Sequence, residues 1–300
     1  MTLWIPITLA AAFFQTLRFM LQRQLSLGTL SAGGATLARF LYSAPLVVVL
    51  VGLYLPLSGQ TVPALSPAFW AYGAVGGLAQ IMATVFVVLL FKARNFAVGI
   101  TFKKTEAIQA ALVGWVVLGD PVSAWGFAAI AVGLLGVLVL SSPPELSRVQ
   151  MRDVFNRASG LGLGAGVLFA VSAVAYRGAS LSIDLDDAFA RAGVTLAAVT
   201  SMQMIAMVLW LGWREPGQVA AVWDARRIAI WVGLLSMCGS FCWFVAFTLQ
   251  TAAYVKALGQ VELIFSALAS VLIFRETVRA REWLGMALLL ASILGLVAVL

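Results

Sequence analysis

Five charged residues interrupt stretches that are otherwise hydrophobic: Lys103, Lys104 and Glu106 in one, Lys256 and Glu262 in another. An ionised side chain at that depth in an apolar segment is costly. It faces a bundle interior, a water-filled cavity or a partner of opposite sign. Two chemistries fit these residue types, namely contact with a polar small molecule and carriage of a proton. The bland alternative is mutual neutralisation, because Lys103 stands one turn before Glu106 and Lys104 or Lys256 can reach across. Gln109 and Gln260 lie beside the acids, and with Gln15 and Gln80 they offer hydrogen bonds to a cavity. Trp115, Trp243 and Tyr254 offer aromatic walls, although a single tryptophan or tyrosine sits more often in an interfacial belt. Arg18 is a further deep candidate. Arg39 and Arg191 open their segments and read as interhelical ion pairs. No histidine is present, and Cys238 and Cys242, four residues apart, read as packing groups rather than a metal or redox pair. Nothing resembles a nucleophile, a metal site or a catalytic triad, so no enzyme is read here and no cofactor is called for.

The elements that must position these residues are membrane helices. The chain has 300 residues, is 62% hydrophobic and only 10% charged, with a mean hydropathy of +1.02. A soluble domain needs a more polar exterior. Runs of roughly 20 apolar residues, the length that crosses hydrocarbon, predict ten helices at about 3–22, 33–56, 68–91, 97–118, 123–141, 159–178, 188–212, 228–248, 252–274 and 281–300. This makes the fold class all-α and polytopic. The N-terminal run lacks a basic leader and a cleavage site, so it reads as a retained helix. Without a long hydrophilic stretch or a phosphate-binding loop, ATP-driven transport by this chain is not expected. The glycines from Gly160 to Gly166 read as close helix packing.

The net charge of +7 reads as topology rather than nucleic-acid binding. Of the 19 basic residues, Arg23, Lys92, Arg94, Arg148, Arg152, Arg157, Arg214, Arg226, Arg227, Arg275, Arg279 and Arg281 all lie in alternate connections. The positive-inside rule puts those connections in the cytoplasm and both termini outside.

Residues 69–120 and 225–276 align without a gap, pairing Gly77 with Gly233, Phe91 with Phe247, Ala97 with Ala253, Glu106 with Glu262, and Asp120 with Glu276. The chain thus divides into a first repeat at 1–142, a linker at 143–156 and a second repeat at 157–300, forming one integrated domain. Each repeat holds five spans, an odd number, so the two are inverted. Inverted repeats with a site at their midplane interface are a common build of secondary transporters. At 1.5 Å per residue, Glu106 lies about 14 Å into its helix and Glu262 about 15 Å into its own, close to the middle of a core of roughly 30 Å.

The arrangement resembles the EamA branch of the drug/metabolite transporter superfamily. The points of likeness are an Arg opening the second helix, Glu106 and Asp120 fourteen residues apart, Glu262 and Glu276 likewise, and Gly126 and Gly285 in the helices that follow. The chain departs from that pattern at Ala107 and Leu263, where proline is usual, and in its Lys103-Lys104 pair. The resemblance implies a multi-pass protein of a bacterial cytoplasmic (inner) membrane that exports small metabolites such as amino acids.

The expectation is therefore a secondary active transporter of zwitterions or organic anions working by alternating access. Its candidate substrate contacts are Glu106, Lys103, Gln109, Trp115, Trp243, Tyr254, Lys256, Gln260 and Glu262. Its partners are a small-molecule substrate and the lipid bilayer, not nucleic acid; the sequence leaves oligomeric state open. A flippase for a lipid-linked head group and an uncoupled channel or interaction protein stay open beside it. Proton coupling would have to use Glu106 or Glu262. Glu106 has Lys103 one turn away, which favours a charged carboxylate, while Glu262 has Gly259 at the matching position and Lys256 on another face. Glu262 is the candidate proton carrier on that ground. Cysteine placed at Ser58 should react with an impermeant reagent in intact cells and cysteine at Ser147 should not; the reverse pattern would overturn the orientation.

Overall fold

The computed structural model describes residues 3–28, 30–91, 102–141, 157–265 and 280–299. All regular structure among them is helical: α1 (Trp4–Leu27), α2 (Ala32–Leu57), α3 (Pro67–Phe91), α4 (Glu106–Leu118), α5 (Ala124–Ser141), α6 (Arg157–Leu181), α7 (Ala188–Arg214), α8 (Gln218–Asp224), α9 (Arg226–Leu249), α10 (Ala252–Leu258) and α11 (Ala280–Val299). Six of them, α1, α2, α3, α6, α7 and α9, are long and apolar enough to cross a membrane, and α4, α5 and α11 contain shorter apolar stretches. The chain is a polytopic membrane protein. The expected linker 143–156 lies outside the described residues, as do Lys92, Arg94, Arg148, Arg152, Arg275, Arg279 and Glu276.

Helix ends follow local sequence. Ser31 caps α2 by accepting the Gly34 N–H at 3.0 Å, and Asp187 caps α7 by accepting the Phe189 N–H at 2.9 Å. The end of α4 is set by Gly119, whose φ of 67° is left-handed and needs no Cβ. The short helix α8 has no counterpart among the ten expected spans. It lies against α2, where Gln218 Oε1 accepts the Ser31 N–H at 2.9 Å and the Trp223 ring stacks on Tyr42.

Two expected spans are broken rather than continuous. Instead of running unbroken from 97, the fourth has a turn at 104–105, and α4 starts at Glu106. The ninth passes from α10 into a 3₁₀ turn at Gly259–Val261 before Glu262. In the repeat alignment these breaks coincide. Backbone groups freed inside a bundle must find partners. Here the Lys104 carbonyl accepts from Gln260 Nε2 at 3.3 Å, and the Phe102 carbonyl accepts from Thr105 Oγ1 at 2.7 Å.

Helix packing pairs α3 with α6, α1 with α9, α2 with α7, α4 with α10 and α5 with α11. The contacts are close because small residues face one another. The α5–α11 contact is the tightest in backbone terms: a Cβ on Gly136 would stand 2.9 Å from both the Gly285 carbonyl oxygen and the Leu289 nitrogen. Backbone cannot swing aside as a side chain can. Gly136→Val should therefore lower stability by about 1–3 kcal/mol, whereas Gly52→Ala, with nothing within 4 Å of the new Cβ, should leave the melting temperature unchanged in the same detergent unfolding assay.

Candidate functional site

The two helix breaks bring the charged residues together. Lys103 Nζ stands 3.5 Å from Glu106 Oε1 and 3.9 Å from Glu262 Oε1, Lys256 Nζ stands 3.8 Å from Glu106 Oε1, and Lys104 pairs directly with Glu262. Lys103, Lys104 and Glu106 are only 3%, 4% and 4% exposed. The cluster is thus a shared network in which each acid meets two lysines. Gln15 Nε2 donates to Glu262 Oε2 at 2.6 Å, and the Trp243 indole N–H donates to Gln15 Oε1 at 3.1 Å, tying α1 and α9 to the acid. Among the described residues Glu106 Oε2 has no hydrogen-bond partner although it is buried.

Beside this cluster lies a residual cavity of about 20 Å³, enough for a single water. Its polar lining includes Gln15, Arg39, Gln80, Tyr176 and Lys256, and its apolar lining includes Phe169, Trp243, Phe244 and Phe247. The Lys256 ammonium lies 5.0 Å from the Trp243 ring centroid, 5.4 Å from Phe169 and 5.8 Å from Phe247, an aromatic enclosure that suits a cation. On the other side, Arg39 is held by hydroxyls from two helices: Nε donates to Ser236 Oγ at 2.9 Å, Nη2 to Ser240 Oγ at 3.1 Å and Nη1 to Thr84 Oγ1 at 3.3 Å. Gln80 is fixed at the cavity wall by Tyr176 and Gln203, each donating at 3.0 Å.

Of the residues singled out from sequence, Lys103, Glu106, Trp243, Lys256, Gln260 and Glu262 come together here. Trp115 does not: it is 66% exposed on the outer face of α4. Tyr254 turns toward the start of α5, where its hydroxyl accepts the Ser123 N–H at 3.3 Å and its ring fills the space left open by Gly126. Gln109 hydrogen-bonds Thr105 Oγ1 at 2.8 Å and packs on Gly166. The premise that Glu262 lacks a basic neighbour does not hold, because the break at 104–105 delivers Lys104 to it from the other half of the chain. Arg39, expected in an ion pair, has no carboxylate within 4.0 Å among the described residues; its partners are Ser and Thr hydroxyls, which no local pattern in the sequence reveals. Asp120 does meet a base. It pairs with Arg177 at 2.7 and 3.3 Å, and Arg177 also donates to the Phe247 and Gln250 carbonyls at 2.8 and 3.0 Å.

Comparison with known proteins gives the following. The profile described as EamA-like transporter family matches residues 157–298. No curated protein sequence matches the chain. Among 28 similar solved chains, one described only as "Crystal structure of protein" superposes over 99% of this chain and 98% of its own, with a TM-score of 0.74 at 16% identity. That likeness is one of fold.

Removing one member of a buried charge pair leaves the other uncompensated, at about 3–5 kcal/mol. Glu262→Gln, which leaves three lysines facing one acid, should lower the unfolding free energy by that order, and adding Lys104→Gln should recover a large part of it; strictly additive losses in the double-mutant cycle would refute the pairing. Trp115→Ala should change stability by less than about 0.5 kcal/mol.

Proposed function

Over residues 157–298 this chain belongs to the EamA-like transporter family of the drug/metabolite transporter superfamily, and on that premise we propose a secondary active transporter that moves small zwitterionic or anionic metabolites by alternating access. The substrate site is the cavity lined by Lys256, Arg39, Gln15 and Gln80, which Lys256 joins to the cluster of Lys103, Lys104, Glu106 and Glu262. The observation that carries this reading is the meeting of two broken helices at repeat-equivalent positions, with Gln260 hydrogen-bonded to Lys104, its own counterpart in the alignment. Discontinuous helices at a repeat interface are where transporters hold charged ligands. The packing supports two inverted five-helix repeats, 1–142 and 157–300: α3 on α6 is the counterpart of α9 on α1, and α2–α7, α4–α10 and α5–α11 each join an element to its own mate.

The charge balance favours a ligand with an anionic group. Three ammonium groups face two carboxylates, so the cluster carries a surplus positive charge that hydrocarbon penalises and a carboxylate would relieve. A ligand ammonium or hydroxyl has an acceptor waiting in Glu106 Oε2. The cavity as it stands has a volume of about 20 Å³, so a substrate enters only as the surrounding helices move apart. By the charge bias the basic connections face the cytoplasm of an inner membrane, and family resemblance favours export.

Coupling uses Glu262 in this reading, on a different ground from the one the sequence offered. A proton on Glu262 removes the charge that neutralises Lys104 and raises the positive charge of the cluster behind Lys256, so proton and anionic substrate bind together. In proteoliposomes Glu262→Gln should abolish the pH dependence of substrate flux while flux itself persists, and Lys256→Gln should raise the half-saturating concentration about tenfold or more. Unchanged pH dependence in Glu262→Gln would remove the acid from the coupling role.

A further inference from the structure

Two guanidinium groups are buried in this bundle without a carboxylate beside them among the described residues. Arg18 is 3% exposed and Arg39 is 5% exposed. Arg18 donates to Gln22 Oε1 at 3.1 Å and lies over the Phe19 ring, while Arg39 has only the hydroxyls of Thr84, Ser236 and Ser240. Among the described residues neither lies within 4.0 Å of an acid. Neutral hydroxyls satisfy N–H donors but bring no negative charge, so packing alone gives no reason to keep this arrangement.

The reason lies in where Arg39 stands. It lines the same residual cavity as Lys256, together with Gln15, Gln80, Trp243 and Phe244. A guanidinium has five N–H donors in a rigid fork, and the hydroxyls account for three, leaving two for a ligand carboxylate. The cavity lining thus has two cationic poles: the ammonium of Lys256, backed by Glu106, and the fork of Arg39 in its hydroxyl cradle. A monovalent anion fills one pole and leaves the other unmatched.

Resting on the transport reading above, we propose that Arg39 is a second anion anchor and that the substrate class is a short dicarboxylic acid, with or without an amino group, whose two carboxylates span the poles at Lys256 and Arg39. An amino group on the same molecule donates to Glu106 Oε2. A neutral amide in place of one carboxylate has the same size and shape but leaves one cation buried and unmatched. The site therefore discriminates acid from amide, a larger distinction than any apolar pocket draws between near-isosteres.

The test measures binding of L-aspartate, L-glutamate and succinate to the purified full chain by ligand-induced thermal shift and titration calorimetry, beside L-asparagine, L-glutamine and succinamate. The wild type should bind at least one dicarboxylate ten times or more tightly than its monoamide. Arg39→Gln should bring that ratio below about threefold, mainly by weakening the dicarboxylate, and Arg39→Lys should restore part of it. If Arg39→Gln does not fold, the Ser236→Ala/Ser240→Ala pair, which removes the cradle and keeps the charge, should reduce the ratio severalfold. A wild type that binds monoamides or neutral amino acids as well as dicarboxylates, or variants that keep the full ratio, would overturn the Arg39 assignment while leaving the transport site standing. Absence of binding by every compound in both series would overturn the zwitterion-and-anion reading of the cluster itself.

Discussion

Positive charge in hydrocarbon has to be matched, and among the described residues this bundle buries more of it than the acids beside it match. Lys103, Lys104, Lys256, Arg18 and Arg39 are all buried, and the deep acids near them are Glu106 and Glu262. Stripping water from each ion costs several kcal/mol, so the network cannot rest on packing alone. Much of the architecture follows from meeting that cost. The chain breaks its helix before Glu106 and again before Glu262, which lets lysines from one repeat reach acids of the other. Gln15, itself held by Trp243, donates to Glu262, and Gln260 takes up the freed Lys104 carbonyl, while Glu106 Oε2 keeps no partner among the described residues. Around that polar centre the helices are fixed by close, small-residue contacts such as Gly76 on Tyr176 and Gly239 on Phe14.

The two ends of the bundle are not equivalent. At one end α8 closes the space between α2 and α9, with Trp223 on Tyr42 and with Val222 buried among Leu37, Leu211 and Ala229. At the other, α2, α7 and α9 separate around an apolar cavity of about 390 Å³ lined by Val47, Tyr54, Phe189, Leu196 and Phe241. Asp120 and Arg177 lock α4 to α6 there, and Arg177 ties both to the last carbonyls of α9.

The long helices were legible because hydrocarbon imposes a length and a composition that a single sequence displays directly: α1, α2, α3, α6, α7 and α9 fall within a few residues of the expected spans. The paired acids were legible for the same reason, since a charge in an apolar run stands out. What the sequence could not display was which faces meet. Trp115 and Trp243 look alike as residues in apolar runs, yet one faces outward and the other faces Lys256. Lys104 looks like a neighbour of Glu106 and instead pairs with Glu262, because a turn rather than a helix carries it. Arg39 was read as an ion pair because its hydroxyl partners, Thr84, Ser236 and Ser240, lie 45, 197 and 201 residues away. The short helix α8 escaped because a seven-residue element in a charged connection has no hydrophobic period to mark it.

The central claim is that the closed polar cavity is a substrate site that opens to each side in turn. Ser172 is 2% exposed on its wall. The most direct measurement is the reaction of a Ser172→Cys variant, in a background with Cys238 and Cys242 replaced by alanine, with a small membrane-impermeant thiol reagent applied from either side of oriented vesicles. The account predicts modification from both sides, slowed from both sides by a saturating ligand. A cysteine that reacts from neither side, or from one side only under every gradient and ligand condition, would contradict it.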